Sequence, residues 1–136
     1  MSQGDETFFT TVGCMDGRSQ EPVCFFGRKK FGAVYPDTIT EAGLVGLLSR
    51  NDVDERLLES LRKKLLISLE KHHSKGVVIS GHQECAGNPV DDERQKEDIR
   101  KSVQVIKSLI NSLAPVIGVF VKRSENDPSV WEAEEL

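Results

Sequence analysis

The chain has 136 residues, of which 38% are hydrophobic and 29% charged, with a net charge of −4 and a pI of about 5.4. That length predicts one domain over residues 1–136, and the acidic balance excludes a general nucleic-acid surface. No apolar stretch reaches the roughly 18 residues of a membrane span, so no membrane partner is expected.

The opening MSQGDETFF lacks the basic start and apolar run of a secretory signal. Three cysteines are too few, and odd in number, for a disulfide scaffold. Together these predict a reducing, cytoplasmic setting, in which cysteines near a histidine lean toward metal or catalysis.

Phe8 to Gly13 is the first β-prone run, ending in glycine just before Cys14. The basic run Arg28-Lys29-Lys30 reads as a solvated loop. Ala33 to Tyr35 is a second short strand, closed by Pro36 and Asp37. A first long helix is expected from about Asp52 to Ser74, with Val53, Leu57, Leu61, Leu65 and Leu69 at helical spacing. Asn51 or Asp52 would cap its start and Gly76 follows its end. His72 and His73 then read as a solvated helix end.

Gly76 to Gly81 is the clearest strand, and its unbroken apolar character suits a parallel sheet covered on both faces. A second helix spans roughly Asp91 to Leu113, with Ile99, Val103, Ile106, Ile110 and Leu113 on one face. Val116 to Val121 is a further strand, and the polar tail from Arg123 reads as a loop with a short helix, or an arm. The order predicts an α/β fold: a mostly parallel sheet of about four strands flanked by α-helices.

In such sheets, ligands bind beyond the carboxyl ends of the strands. Cys14 stands at the end of the first strand, and His82 directly follows Gly81, with Cys85 three residues on. If the two strands are neighbours, two sulfurs and one imidazole converge, a set that zinc favours. Asp16 lies two residues beyond Cys14 and could reach an open metal position. Arg18, two further on, could hold that carboxylate off through a bidentate pair. Cys24 reads as a small core residue, and Glu84 as a turn residue or an acceptor behind the ligands.

The segments Cys14-Met15-Asp16-Gly17-Arg18 and His82-Gln83-Glu84-Cys85 resemble the β-class carbonic anhydrases, over roughly Thr10 to Gly87. The resemblance implies Zn2+ bound by Cys14, His82 and Cys85, with Asp16 a switchable fourth ligand governed by Arg18. It implies reversible hydration of carbon dioxide to bicarbonate by a zinc-bound hydroxide, with backbone groups near Gly87 touching the product anion. Two thiolates make the metal's water less acidic than three imidazoles would, so activity favouring alkaline pH is expected.

Gly17 replaces the family's usual serine, and Thr40-Glu41 stand where an arginine and asparagine commonly precede the Ala-Gly pair. Two other chemistries fit the same residues: hydrolysis of carbon disulfide or carbonyl sulfide, and a non-catalytic zinc protein. A homodimer or higher homo-oligomer is expected, because Phe8, Phe9, Phe25, Phe26 and Phe31 crowd the N-terminal segments.

Overall fold

The structure, a computed structural model, describes residues 6–136; residues 1–5 of the opening stretch lie outside it. Five strands form one sheet in the order β2-β1-β3-β4-β5, one more than the four or so that the sequence predicts. They are β1 (Phe8–Gly13), β2 (Tyr35–Thr40), β3 (Val77–His82), β4 (Val116–Arg123) and β5 (Trp131–Glu135). The first four run parallel, and β5 returns antiparallel against β4.

Four α-helices cover the sheet: α1 (Gly17–Phe31), α2 (Leu44–Leu48), α3 (Glu55–Leu66) and α4 (Asp92–Leu109). The chain steps from β1 outward to β2, then back across β1 to β3. Right-handed crossovers in opposite directions put the connecting helices on opposite faces. One apolar layer accordingly joins Val12, Val77, Ile79 and Phe120 to α2, α3 and α4. The other joins Phe9, Val78 and Val119 to Val23 of α1. All six residues of β3 are buried, as its unbroken apolar run predicts.

Several expectations need correction. β2 begins where the sequence suggests that it ends, and it contains Pro36 and Asp37. Proline lacks an N–H but is tolerated on an edge strand, and β2 is the edge. Arg28, Lys29 and Lys30 form the last turn of α1 rather than a loop, where their charge complements the helix dipole. Pro22 and the aromatic pair Phe25-Phe26 hide that helix from periodicity. Its ends are legible, with Asp16 as N-cap and Gly32 in the left-handed conformation as C-cap.

The first long helix is shorter than its apolar stripe. It starts after Asp54, whose carboxylate accepts the Arg56 N–H, and ends in a π-helical turn, Ile67–Lys71. Past that turn His72 is not merely solvated: its ring bonds Asp37 at 2.7 Å and stacks on Phe8. The second helix stops at Leu109, and Asn111 and Ser112 turn with positive φ. The tail forms β5 rather than a helix, because the unpaired edge of β4 offers it a full ladder of hydrogen bonds.

Of the five phenylalanines in the N-terminal segments, Phe9 is fully buried against Phe31, while Phe25 is 65% exposed. Among the described residues, no helix is long and apolar enough to cross a membrane.

Leu65 and Leu113 look alike in sequence, yet one is fully buried and the other 62% exposed. Leu65→Ala is expected to cost about 2–5 kcal/mol in urea unfolding. Leu113→Ala should stay within about 0.5 kcal/mol of the parent.

Candidate metal centre

β1 and β3 are adjacent and parallel, and they lie where the strand order reverses. Their carboxyl ends therefore open into one crevice. Cys14 directly follows β1, His82 ends β3, and the turn after it delivers Cys85. One ligand atom from each of the three lies within 4.8 Å of the others, the one such cluster among the described residues. The two Sγ atoms are 3.8 Å apart.

The turn after β3 is built to hold that shape. Glu84 sits at φ 57°, the left-handed region that non-glycine residues rarely occupy. The neighbouring Gln83 side chain donates to Asp92 and accepts the Arg123 N–H, pinning the turn to α4 and β4. Glu84 itself is exposed yet engaged, with its carboxylate accepting from Arg123 Nε at 2.7 Å and Nη2 at 3.1 Å. Those bonds hold its carboxyl below the usual range.

His82 is 1% exposed. Its Nδ1–H donates to the Gln83 carbonyl at 2.7 Å, which leaves the Nε2 lone pair free. That Nε2 is the buried side-chain nitrogen or oxygen without a partner among the described residues. A buried imidazole nitrogen without a bond is costly, and beside two sulfurs it suits a metal ion. A disulfide alone would leave it unsatisfied.

The sulfurs carry their own donors. Gly43 N–H points at Cys14 Sγ at 3.4 Å, while Gly87 and Asn88 N–H groups face Cys85. Burial, then the nearby Cys14, push the Cys85 thiol up, and those two N–H groups oppose the rise. A divalent cation would reverse the balance and hold both as thiolates. Gly87 N–H is thus turned toward sulfur.

Gly43 has φ 62°, and a Cβ there would meet the Gly87 carbonyl at 2.4 Å. Only two glycines permit the loops after β2 and β3 to close to this distance. Behind them, Asn88 donates to buried Asp98 at 3.0 Å, and Gln95 donates to the Asn88 carbonyl at 2.8 Å. Arg94 caps Asp98 at 3.0 Å, compensating a buried charge. Asn88, Gln95 and Asp98 carry no motif that marks them in the sequence. Gln95, Asp98 and Ser102 on the same face of α4 as Ile99 were the available signal, because polar residues on an apolar stripe need partners.

Asp16 and Arg18 meet as their spacing suggests. Asp16 Oδ1 accepts the Arg18 backbone N–H at 2.9 Å and Nε at 3.0 Å, and Oδ2 accepts Nη2 at 2.8 Å. These bonds hold the Asp16 carboxyl down to about 2, against the opposing pull of partial burial. Asp16 Oδ2 lies 3.9 Å from His82 Nε2, at the edge of the ligand cluster. Cys24 is half-buried on α1, remote in role from the cluster, and burial raises its thiol pKa.

Residues 4–131 match the family model described as "Putative carbonic anhydrase". No curated protein matches the sequence significantly. Among solved structures, the chain is similar to β-carbonic anhydrase isoform I of the protozoan Trichomonas vaginalis. Identity is 17% and TM-score 0.58, covering 96% of this chain and 82% of that one. A structure described among two tetrameric β-carbonic anhydrases of the ascomycete Sordaria macrospora gives 14%, 0.61, 96% and 81%. Carbonic anhydrase from Streptococcus mutans gives 16%, 0.54, 93% and 80%. At these identities the structures speak for a shared fold, while the family model speaks for kinship along nearly the whole chain. The chain therefore belongs to the carbonic anhydrase family, as a carbonic-anhydrase-like enzyme on the β-class fold.

Proposed function

We propose that the protein binds Zn2+ through Cys14, His82 and Cys85 and catalyses reversible hydration of carbon dioxide to bicarbonate. The observation that carries this reading is the orphaned His82 Nε2, buried in one cluster with two sulfurs. Zinc held there would acidify water into a nucleophile usable near neutral pH and leave a fourth position exchangeable.

The chain's own residues do the rest. The Gln83 carbonyl fixes the histidine tautomer, and N–H groups of Gly43, Gly87 and Asn88 stabilise the sulfur charge. Asp16 sits close enough to compete for the fourth position, and the Arg18 fork holds it away. Held so, the carboxylate can accept a hydrogen bond from the attacking water and orient its lone pair. Because Arg18 keeps that carboxyl at about 2, Asp16 is an anion at every pH at which the enzyme would work.

Zinc analysis and stopped-flow carbon dioxide hydration test this directly. The parent should hold stoichiometric zinc and hydrate carbon dioxide above buffer. Cys14→Ser should lower zinc affinity more than about 100-fold, since even outer partners of zinc ligands contribute 10–100-fold. Asp16→Ala should retain zinc but lose rate. A zinc-loaded protein that is inactive at every pH would overturn the reaction; absence of stoichiometric zinc would overturn the site as well.

The pH dependence has a definite sign. Rate should rise from neutral to alkaline pH, since two thiolates keep the metal's water less acidic. Asp16 should add no second step near pH 4, because its folded pKa is depressed. The stability contributed by its pair with Arg18 is present above about pH 4 and fades as pH falls toward 2. A rate profile flat from mildly acid to alkaline pH would contradict this.

A homo-oligomer is part of the reading. Phe25 stays exposed along an open apolar groove of about 720 Å³ between α1 and β5, and the Sordaria relatives are described as tetrameric. Light scattering on the purified protein should give a mass at least twice 15.1 kDa.

A further inference from the structure

We propose that Glu84, Arg123 and Trp131 are positioning residues that clamp Arg18, so that strand β5 helps to keep Asp16 off the metal position. The inference rests on the zinc reading above and assigns a gate-holding role to residues outside its ligand set.

Arg18 needs such help. Its side chain is 39% exposed, and an exposed ion pair alone holds a flexible arginine weakly. Here the guanidinium makes contacts well beyond Asp16. Nη2 donates to the Glu84 carbonyl at 3.2 Å, and Nη1 lies 3.7 Å from Glu84 Oε1. Its Cζ lies 4.8 Å from the centre of the Trp131 ring. Arg123 lies over the same ring at 4.5 Å, with its fork on Glu84 and Nη1 donating to the Pro128 carbonyl at 2.8 Å.

Arg18 of α1 therefore meets the strained turn after β3 and the Trp131 end of β5, while Arg123 of β4 holds both of those partners. Arg123 and Trp131 are cross-strand partners in the ladder, which sets the indole beside the Arg123 guanidinium. The left-handed backbone of Glu84 lets one residue offer Arg18 both a carbonyl and a carboxylate. Fastening β5 to the sheet would need only Arg123, Glu84 and Trp131. The arrival of Arg18 at both Glu84 and Trp131 points to the gate.

The test uses the cobalt(II)-loaded protein, which accepts the same sulfur and nitrogen set and absorbs in the visible. Azide is titrated at one fixed pH and read by the visible band; it competes with Asp16 for the open position. Trp131→Leu and Arg123→Leu should each weaken azide binding about two- to fivefold, the range of an exposed cation–π contact. Trp131→Phe, which keeps a ring, should restore it. In an Asp16→Asn background the same substitutions should change nothing, an outcome that a merely structural role would not produce. Should Trp131→Leu fail to fold, Arg123→Lys carries the test, because it keeps the charge and loses the fork. Azide binding unchanged by Trp131→Leu and Arg123→Leu, yet weakened by Arg18→Leu, would overturn the clamp and leave the gate standing. Failure of cobalt to bind, or indifference to both Arg18→Leu and Asp16→Asn, would overturn the metal-site reading and the clamp with it.

Discussion

The parallel pairing of β1 with β3 is the constraint on which the rest of the site depends. It brings two chain segments far apart in sequence to the same end of the sheet, where β1 leads into Cys14 and β3 ends at His82. No local interaction could bring them together. Burial of β3 on both faces secures the pairing, since its alternating side chains lock into the α1 layer on one side and the α3–α4 layer on the other.

Around that crevice the loops are fitted by steric allowance. Gly43 and Gly87 touch backbone to backbone, and their approach directs N–H groups at both sulfurs. Sulfur is a weak acceptor, and several weak donors around two buried sulfurs add up where one would not. The buried Asn88–Gln95–Asp98 network stiffens one of those loops from beneath, at the cost of an inward carboxylate that Arg94 has to answer.

Electrostatics then separate two carboxylates that neighbour the Cys14–His82–Cys85 cluster in sequence. Asp16 is kept anionic and restrained by Arg18, while Glu84 is drawn outward to Arg123. The difference lies in which arginine each meets. Asp16 caps a helix, so its backbone position ties it to the Arg18 N–H as well as to the fork. Glu84 is carried by a strained turn whose side chain faces β4. At both, the arginine bonds outweigh the effect of burial, so neither is neutralised by desolvation.

Residue types and spacing alone marked Cys14, Asp16, Arg18, His82 and Cys85, because a strand followed at once by a sulfur or imidazole is readable without a fold. They also marked β3 and α4, whose apolar periods are unambiguous. They did not reveal α1, since Pro22 and two adjacent aromatics mask its period although Asp16 and Gly32 bracket it. They placed β2 a few residues early, since Pro36 is forbidding in a central strand and harmless on an edge. Sheet position, which no local window contains, decided that. The Gly43–Gly87 contact and the meeting of Arg18 with Trp131 were likewise invisible, since their partners lie 44 and 113 residues apart. The sequence by itself determined the residue types of the Cys14–His82–Cys85 cluster and their local turns, through short-range chemistry. Only the tertiary structure decided what surrounds them, because strand order, edge status and long-range packing set that.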